Sequence, residues 1–410
     1  MVLGIDYTDE YTQISYAKND MKSPESVSIS LGERKYLIPT IVCRDNSNGS
    51  WATGDRALEL IALGEVCFFK NLFSKALWDE SEIFDEIEYT YIDALSIFFK
   101  SIIESGKLAG DSEAVTEIVI TIENVNKNSV ELMGDIMSII GYGDVALSVV
   151  SHSESFAYYV LKQSRDLRSS KVAVFDFTNS GFYYRCLNIS GVKPCIVSVE
   201  EEDISSMMNI QSAEDNVFQE IAQRRLSNEI ISGVFLNGVG FTGDWMGKSL
   251  EYLCQGRRAF RGQNLFSKGA CYGAMFKNLN EDSDYIYLCA GRNRLDLSIV
   301  INEQGRNRQL VLLKAGAVWY ESGAKIECIL DETRNIQFII SNPRDKINRS
   351  YTVDLNTFPE RPPKTTRVEI SISYKNEEEL IILIKDLGFG EFFIGTGKVL
   401  EKTIKVKDFF

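Results

Sequence analysis

The chain has 410 residues and a formal net charge of −14, because 58 aspartates and glutamates outnumber 44 lysines and arginines. This excess of negative charge disfavours non-specific binding to nucleic acid or to an anionic membrane surface. The eight cysteines are scattered without a Cys-x-x-Cys pair, which argues against a zinc site and against a disulfide framework. Since no apolar run approaches the ~20 residues of a membrane span and no signal-peptide pattern precedes the first strand, we expect a cytoplasmic protein of two or three domains.

Short strands alternate with helical stretches at the start of the chain. We predict strands at Val2–Ile5, Tyr11–Ala17 and Tyr36–Cys43, and an amphipathic helix at Tyr91–Ser105. This pattern indicates one α/β unit over residues 1–112.

A second α/β unit is predicted over residues 113–280. Its predicted strands are Thr116–Ile122, Ala146–Val150, Lys171–Phe177, Gly181–Ile189 and Gly233–Leu236. Its predicted helices are Lys127–Ile140, Glu154–Ser164, Arg224–Ser232 and the small-residue helix Gly269–Phe276. A polar segment at Asn278–Ser283 is predicted to be a linker.

From residue 284 to residue 410 the sequence becomes a series of strands of alternating polarity. The predicted strands are Leu295–Ile301, Gln309–Leu313, Gln337–Ser341, Arg367–Tyr374, Leu380–Lys385 and Glu401–Lys407. Such a series is typical of an all-β sandwich. The predicted fold class is therefore α/β followed by all-β.

Short motifs along the chain occur in the order in which one protein family has them. The segments Gly4-Ile5-Asp6, Gly54-Asp55-Arg56-Ala57 and Phe68-Phe69-Lys70-Asn71-Leu72 are similar to its first phosphate hairpin, its "GDAA" turn and its "FDAKRL" segment. Tyr36–Thr40 is similar to the strand that reaches a proline in the same family. The family is that of the seventy-kilodalton heat-shock chaperones, within the actin, sugar-kinase and heat-shock ATPase superfamily.

The resemblance continues through the rest of the chain. Val119–Ile122 is similar to "VITVPA", Ser148–Glu154 to "RIINEPT", Val174–Phe177 to the second phosphate hairpin "IFDLGGGT", Val234–Gly238 to "VFLVGG" and Lys268–Ala274 to the "GAA" helix. The proline-rich turn Phe358–Pro363 and the following strand resemble the peptide-binding sandwich of the chaperones. No segment resembles the helical lid, so the resemblance is to a divergent, lidless relative.

The resemblance implies a two-lobed, actin-like (ribonuclease H-like) ATPase fold, with lobes at 1–112 and 113–280 and a β-sandwich at 284–410. It also implies a nucleotide cleft, whose contact residues would be Asp6, Thr8, Asp176, Thr178, Gly181, Gly238 and Gly240. Asp6 and Asp176 correspond to the residues that hold hydrated magnesium, and an active site would use Lys70 and Glu154 as catalytic groups.

The predicted cleft departs from the family pattern at both hairpins. Thr8-Asp9-Glu10 replaces a glycine and two threonines, and Thr178-Asn179-Ser180-Gly181 replaces three glycines and a threonine. His152 falls at the position of the catalytic glutamate, so Glu154 can serve only if the register shifts by two residues. Residues 182–232 are too few for the subdomain that clasps adenine, so one subdomain is reduced. If Asp9 or Glu10 lay ~4 Å from a phosphate charge, the repulsion would cost about 1 kcal/mol in water and about 4 kcal/mol at an effective dielectric near 20. These two acids therefore oppose tight binding of ATP.

These departures predict a degenerate nucleotide site in a chaperone-like protein that needs no cofactor and binds a protein or peptide partner. One alternative is a slow, magnesium-dependent ATPase that uses Mg-ATP with Asp6, Lys70, Glu154 and Asp176. A weaker alternative is an actin-like scaffold that assembles. Asp6 and Asp176 can also be structural acids at strand ends, and Lys70 a surface lysine or a partner of Asp6.

One basic cluster interrupts the acidic sequence, at Arg257-Arg258-Ala259-Phe260-Arg261. It can bind an anion or an acidic partner, or it can form the solvated face of a helix.

Overall fold

The structure is a computed structural model. It describes residues 1–28, 35–64, 66–84, 86–262, 264–279, 281–332 and 334–409. The chain divides into two compact units, the first formed by Met1–Ile189 and Val199–Asp284 and the second by Ser190–Ser198 and Tyr285–Phe410. The boundary predicted between residues 112 and 113 lies inside the first unit, and residue 280 of the predicted linker lies outside the described residues.

The first half of the first unit is an α/β region. Its strands are β1 (Val2–Tyr7), β2 (Tyr11–Ala17), β3 (Glu25–Ser26), β4 (Ile38–Pro39), β5 (Val42–Asp45), β6 (Trp51–Thr53), β7 (Val66–Phe69), β8 (Ser81–Phe84), β9 (Ile87–Thr90), β10 (Glu117–Ile122) and β11 (Ala146–Ser151). Its helices are α1 (Gly54–Leu63), α2 (Leu72–Ala76), α3 (Tyr91–Ala109), α4 (Lys127–Ile139) and α5 (His152–Leu161).

The second half is also α/β. Its strands are β12 (Lys171–Phe177), β13 (Phe182–Ser190), β14 (Cys195–Asp203), β15 (Ile231–Asn237) and β16 (Arg258–Arg261), and its helices are α6 (Asp215–Leu226), α7 (Gly247–Leu253) and α8 (Leu265–Asn278). Strand β14 begins in the second unit and ends in the first. The α/β character predicted for this part of the chain is confirmed.

The same strand order occurs in both halves. The main sheet of the first half has the order β11-β10-β1-β2-β3, and that of the second half has the order β16-β15-β12-β13-β14. The central strands β1 and β12 each pair antiparallel with the next strand in sequence and parallel with a later strand. The outermost parallel strands, β11 and β16, extend each sheet on that side. The first unit is therefore built from two copies of one topology.

Helix α5 is the last helix of the first half and α8 is the last helix of the second half. The two helices pack closely against each other. A Cβ atom added to Gly269 of α8 would lie 2.0 Å from the carbonyl oxygen of Ser155 in α5. A Cβ atom on Gly4 of β1 would lie 2.2 Å from the carbonyl oxygen of Ser267 in α8. The missing side chains thus let α8, which belongs to the second half, lie directly on α5 and on the sheet of the first half.

Two sequence predictions in this unit are wrong in detail. The helix predicted at Arg224–Ser232 is instead the end of α6, which stops at Leu226, and the start of β15 at Ile231. The apolar residues that drive this helix into the core, such as Phe218, precede the predicted segment. The strand predicted at Tyr36–Cys43 is divided into β4 and β5, because Pro39 cannot donate a backbone hydrogen bond to a continuing ladder.

The second unit is built from strands in its described part. They are β17 (Tyr285–Leu288), β18 (Asp296–Glu303), β19 (Arg306–Leu313), β20 (Gly323–Leu330), β21 (Asn335–Asn342), β22 (Ile347–Asp354), β23 (Thr366–Asn376), β24 (Glu379–Phe389), β25 (Phe393–Ile394) and β26 (Val399–Lys405). One sheet has the order β19-β18-β21-β22, and the other has β20-β23-β24-β25 with β26 also on β24. Residues of both sheets, including Phe338, Ile370 and Ile382, form one buried apolar core, so the two sheets pack as a sandwich.

A buried ion pair fixes the proline-rich turn of the second unit. Arg361 donates from both terminal nitrogens to the carboxylate of Asp386, at 2.6 and 2.9 Å. Asp386 also accepts hydrogen bonds from the backbone of Gly388 and from the backbone and hydroxyl of Thr396. Arg361 and these donors lower the pKa of Asp386 well below its usual range, although burial opposes them.

None of the helices in the described ranges is both long enough and apolar enough to cross a membrane.

Candidate functional site

The two central strands of the first unit end beside one small cavity. Asp6 near the end of β1 and Asp176 near the end of β12 are 6% and 4% exposed. Both line a cavity of about 40 Å³ together with Thr8, Thr178 and Gly238. This volume is far below the ≈ 300–1,000 Å³ of a typical ligand pocket. The sequence thus identified residues that come together, and the cavity between them is small.

Arg185 of β13 is a buried cation that contacts Asp176. Its side chain is completely buried and donates from Nη2 to Glu123 Oε1 at 2.7 Å, from Nε to Glu201 Oε2 at 2.9 Å and from Nη1 to Asp176 Oδ2 at 3.3 Å. Burial alone would lower the pKa of Arg185, but the three carboxylates raise it. The guanidinium is therefore a permanent cation held against Asp176, which lines the cavity.

His152 is the second cation of the cluster. It is the first residue of α5 and is 3% exposed. Its Nε2 lies 2.9 Å from Asp6 Oδ1 and its Nδ1 lies 2.8 Å from Glu123 Oε2, and its ring stacks on Phe266 with 4.5 Å between the ring centres. Burial favours the neutral ring, but Asp6 and Glu123 outweigh it and raise the pKa of His152 to about 10. A protonated imidazole donates from both nitrogens, which fits two carboxylate partners.

Glu123 joins the two cations. It follows β10, and although burial alone would raise its pKa, Arg185 and His152 lower the pKa of Glu123 to about 2. The pKa of Asp176 is raised instead. Burial raises it by more than Arg185 and the 2.8 Å hydrogen bond from Asn237 lower it. The result is one continuous network from Asp6 through His152, Glu123 and Arg185 to Asp176.

Of the two acids in the first hairpin, Asp9 points away from the cavity. Its carboxylate accepts hydrogen bonds from the backbone N–H groups of Phe73 and Ser74, at 2.9 and 3.2 Å, and from the hydroxyl of Tyr7 at 3.0 Å. Asp9 therefore satisfies free N–H groups at the start of α2. This is a structural role that the sequence reading did not anticipate.

Glu10 instead lies across the cavity from the second hairpin. It lines the cavity, and its carboxylate interacts with the side chain and the backbone N–H of Asn179. These hydrogen bonds lower the pKa of Glu10, but burial has the larger effect and raises it. The tips of the two predicted phosphate hairpins are thus connected to each other through a carboxylate.

The two predicted catalytic residues lie outside the cavity lining. Lys70 is exposed, and its ammonium group lies 5.4 Å from the centre of the Phe68 ring. Glu154 is 2% exposed and accepts a hydrogen bond from Tyr158 at 2.6 Å. Neither residue lines the cavity around Asp6.

The remaining predicted glycines have packing roles. Gly181 and Gly240 do not line the cavity, and a Cβ atom on Gly240 would lie 2.3 Å from the Phe177 ring. Gly238 has φ of +95°, and a Cβ atom there would lie 2.3 Å from the carbonyl oxygen of Phe177. Both constraints require glycine whether or not a ligand binds.

The sequence reading missed the residues that connect the network, namely Arg185, Glu123, Glu201 and Asn237. Arg185 carried a detectable signal, because a charged residue at an inward position of a buried strand almost always has a buried partner. No signal in the sequence identifies Glu123 and Glu201 as its partners, because they lie 62 and 16 residues from Arg185 along the chain.

In the part of the chain that the structure describes, no group of three or more histidine, cysteine, aspartate or glutamate residues has the arrangement of a metal site. Asp6 and Asp176, the predicted magnesium ligands, are bonded to His152 and Arg185. The protein's own cations thus lie against the carboxylates that a divalent ion would need.

Family comparisons divide the chain at nearly the same place as its structure. Residues 23–290 match the family of unknown function DUF5716, C-terminal, and residues 292–406 match a domain of unknown function, DUF8552. Because the first match covers more than half of the chain, the chain belongs to the DUF5716 family. No curated protein matches it.

Proposed function

We propose that this chain is a non-catalytic relative of the actin and heat-shock ATPases, in which a fixed ion-pair network replaces the magnesium nucleotide and the second unit binds a protein partner. Two observations support the fold assignment. The halves of the first unit have the same strand order, and their terminal helices α5 and α8 pack together between the sheets. An internally repeated unit of this kind is what the actin-like resemblance implies.

The observation that carries the proposal is the position of Arg185 and His152. An ATPase of this class needs its two hairpin aspartates free to bind hydrated magnesium. Here Asp6 is bonded to His152 and Asp176 to Arg185, and both cations are also bonded to Glu123. Binding a metal nucleotide would require breaking several buried, charge-assisted contacts, each of them worth about 1.5–3 kcal/mol.

The first hairpin supports the same conclusion. Where a nucleotide phosphate would accept hydrogen bonds from the second hairpin, the carboxylate of Glu10 interacts with Asn179. An internal anion therefore already satisfies a donor that an external phosphate would use. The exposed position of Lys70 argues against the alternative of a slow ATPase.

The protein-binding part of the proposal is supported by the hairpin between β24 and β25. Phe392 is 94% exposed and the neighbouring Ile394 is 77% exposed, and Phe389 and Phe393 lie beside them. Large apolar side chains grouped at the surface typically mark an interaction site.

Thermal unfolding with and without millimolar Mg-ATP or Mg-ADP tests the non-catalytic assignment. We expect no nucleotide-dependent shift for the unsubstituted chain, and no effect of Lys70→Ala on stability. A nucleotide present at about a hundred times its Kd would add about 2.7 kcal/mol of stability. A magnesium-dependent shift of that size, lost in Asp6→Asn and in Lys70→Ala, would make the slow ATPase the better account.

The protein-binding assignment is tested separately with a permanently unfolded protein, reduced and carboxymethylated lactalbumin, as the probe. We expect the chain to bind it, and we expect Phe392→Ser with Ile394→Ser to weaken binding about tenfold or more, because two exposed apolar anchors are lost. Exchange of two exposed residues of the opposite sheet, Arg308→Ser with Asn307→Ser, is the matched control. Equal binding by the hairpin variant would exclude this surface.

A further inference from the structure

The basic cluster noted in the sequence lies on an open edge of a sheet, not on a helix. Arg258–Arg261 form β16, which pairs in parallel with β15. Among the described residues no strand pairs with the other side of β16, which is the last strand in its sheet. The backbone N–H and C=O groups along that side are therefore open to an added strand.

The side chains of this edge strand are exposed and positively charged. The Arg258 side chain is 58% exposed, and among the described residues its one ion pair is a 3.6 Å contact with Asp166, which is itself 79% exposed. Phe260 is 40% exposed and stacks on Phe235 with 5.2 Å between the ring centres. An ion pair between two such exposed side chains contributes little, so Arg258 is free to take another partner.

The two flanking arginines have no carboxylate partner in the described part of the chain. Arg261 donates to the carbonyl oxygen of Gly243 at 2.7 Å. Arg257 lies over the ring of Tyr252, and its Nη1 is buried without a hydrogen-bond acceptor. A buried guanidinium nitrogen without an acceptor is costly. The edge therefore carries three guanidinium groups, and in the described part of the chain their one carboxylate contact is the exposed pair of Arg258 with Asp166.

The surrounding charge distribution makes this edge unusual. Within the first unit, lysines and arginines are far fewer than aspartates and glutamates, 24 against 41. We infer that the outer edge of β16 is a docking site for an extended, acidic segment of a partner protein, which adds as a strand and places its carboxylates on Arg257, Arg258 and Arg261 and an apolar side chain on Phe260.

Two physical arguments favour an acidic peptide over the other occupants. Positive charges along an edge repel the same edge of a second copy, so the arginines oppose pairing between copies. A nucleic acid extends well beyond four residues of strand, so its phosphates would meet the acidic surface of the rest of the unit. A short acidic strand needs only the edge itself.

The test uses the full chain and fluorescence anisotropy of a labelled peptide built on the sequence Glu-Val-Val-Glu. In a strand paired with β16, this order places glutamates opposite Arg258 and Arg261, which lie on opposite faces, and a valine opposite Phe260. Three probes serve as comparisons: the same peptide with lysine for glutamate, the same peptide with proline for valine, and an oligothymidylate of similar charge. We expect saturable binding of the glutamate-valine peptide alone, because lysine reverses the charge and proline removes the backbone donors that strand addition needs.

The paired substitution Arg258→Glu with Arg261→Glu should weaken binding about tenfold or more. The matched control is Arg224→Glu with Lys127→Glu, which changes the net charge equally at exposed positions on α6 and α4 and should leave binding unchanged. The inference is wrong if the glutamate-valine peptide does not bind at about 1 mM, or if both paired variants weaken binding equally. It is also wrong if the proline peptide or the oligothymidylate binds as well as the glutamate-valine peptide does.

Discussion

The role of Arg185 can be tested by replacing it with methionine, which keeps much of the side-chain volume and removes the charge. Arg185 makes four hydrogen bonds to carboxylates, of 2.7, 2.9, 3.2 and 3.3 Å. Breaking a buried ion pair by removing one partner costs about 3–5 kcal/mol, because the remaining charges are uncompensated. We therefore expect Arg185→Met to lower the free energy of unfolding of the first unit by about 4 kcal/mol at neutral pH.

The pH dependence of this loss separates the electrostatic explanation from a packing defect. Without the guanidinium, the pKa of Asp176, which burial already raises, moves further above its value in the unfolded chain, and Arg185 no longer lowers the pKa of Glu123. The folded variant then binds more protons than the unfolded one as the pH falls, so part of the lost stability returns on acidification. Loss of packing alone would give the same deficit at neutral and at mildly acidic pH.

Urea unfolding at both pH values, followed by circular dichroism and tryptophan fluorescence, measures the effect. Arg224→Met is the matched control, since Arg224 is 72% exposed and its contact with Glu220 is 3.7 Å long. That control should lose less than about 1 kcal/mol. A loss of similar size in both variants, or a loss in Arg185→Met that is independent of pH, would refute the network as described.

Three further results are expected. Folding raises the pKa of His152 to about 10, so the protonated His152 stabilises the folded state fully below its unfolded pKa near 6.5, and this stabilisation is lost as the pH rises through the folded value. Between these two pH values, the free energy of unfolding of the unsubstituted chain should fall by about 1.4 kcal/mol per pH unit more than that of His152→Gln, as measured by urea unfolding. Gly269→Ala should cost about 1–3 kcal/mol, because its Cβ would lie 2.0 Å from a backbone oxygen of α5, as measured by thermal unfolding. Asp386→Asn should destabilise the second unit by about 3–5 kcal/mol at neutral pH, because Arg361 would remain buried without its partner.

Each of these has a control or a contrary outcome. A pH slope in His152→Gln equal to that of the unsubstituted chain would exclude a raised histidine pKa. Gly134→Ala in α4 has open space around the new Cβ and should be neutral or slightly stabilising, so a loss as large as that of Gly269→Ala would contradict the close packing of α5 and α8. The pKa of Asp386 is lowered on folding, so its stabilisation is present above the unfolded value and should disappear as the pH falls through the folded value.

The main strands of the first unit could be predicted because β1 and β12 are largely apolar and β2 is rich in residues that favour strands, such as tyrosine, threonine and isoleucine. β1, β2 and β12 begin where the sequence predicts, and β2 and β12 also end there, since buried strands between polar turns leave little ambiguity. The elements from β5 to β9 could not be predicted, because strands of three or four residues are too short to show a detectable periodicity in the sequence.

The residues of the candidate site were also predicted only in part. Asp6 and Asp176 were identified from the resemblance of their segments to two phosphate hairpins, and in the structure each lies near the end of a central strand. Arg185 and Glu123 were not recognised as partners, because only the pairing of β12 with β13 and the position of β10 bring them together. The charge of a residue can be read from sequence, but its neutralising partner depends on topology.

The buried network also restricts how this sequence can change over evolutionary time. Losing Arg185 removes the cation bonded to Asp176 and Glu201 and one of the two bonded to Glu123, and losing His152 removes the cation bonded to Asp6 and the other one bonded to Glu123. A path to a divalent-ion site must remove both cations, and each single step along it passes through an intermediate with uncompensated buried charge. Sequences that evolve from this chain are therefore expected either to keep all of these residues or to replace a cationic residue and its carboxylate partner together.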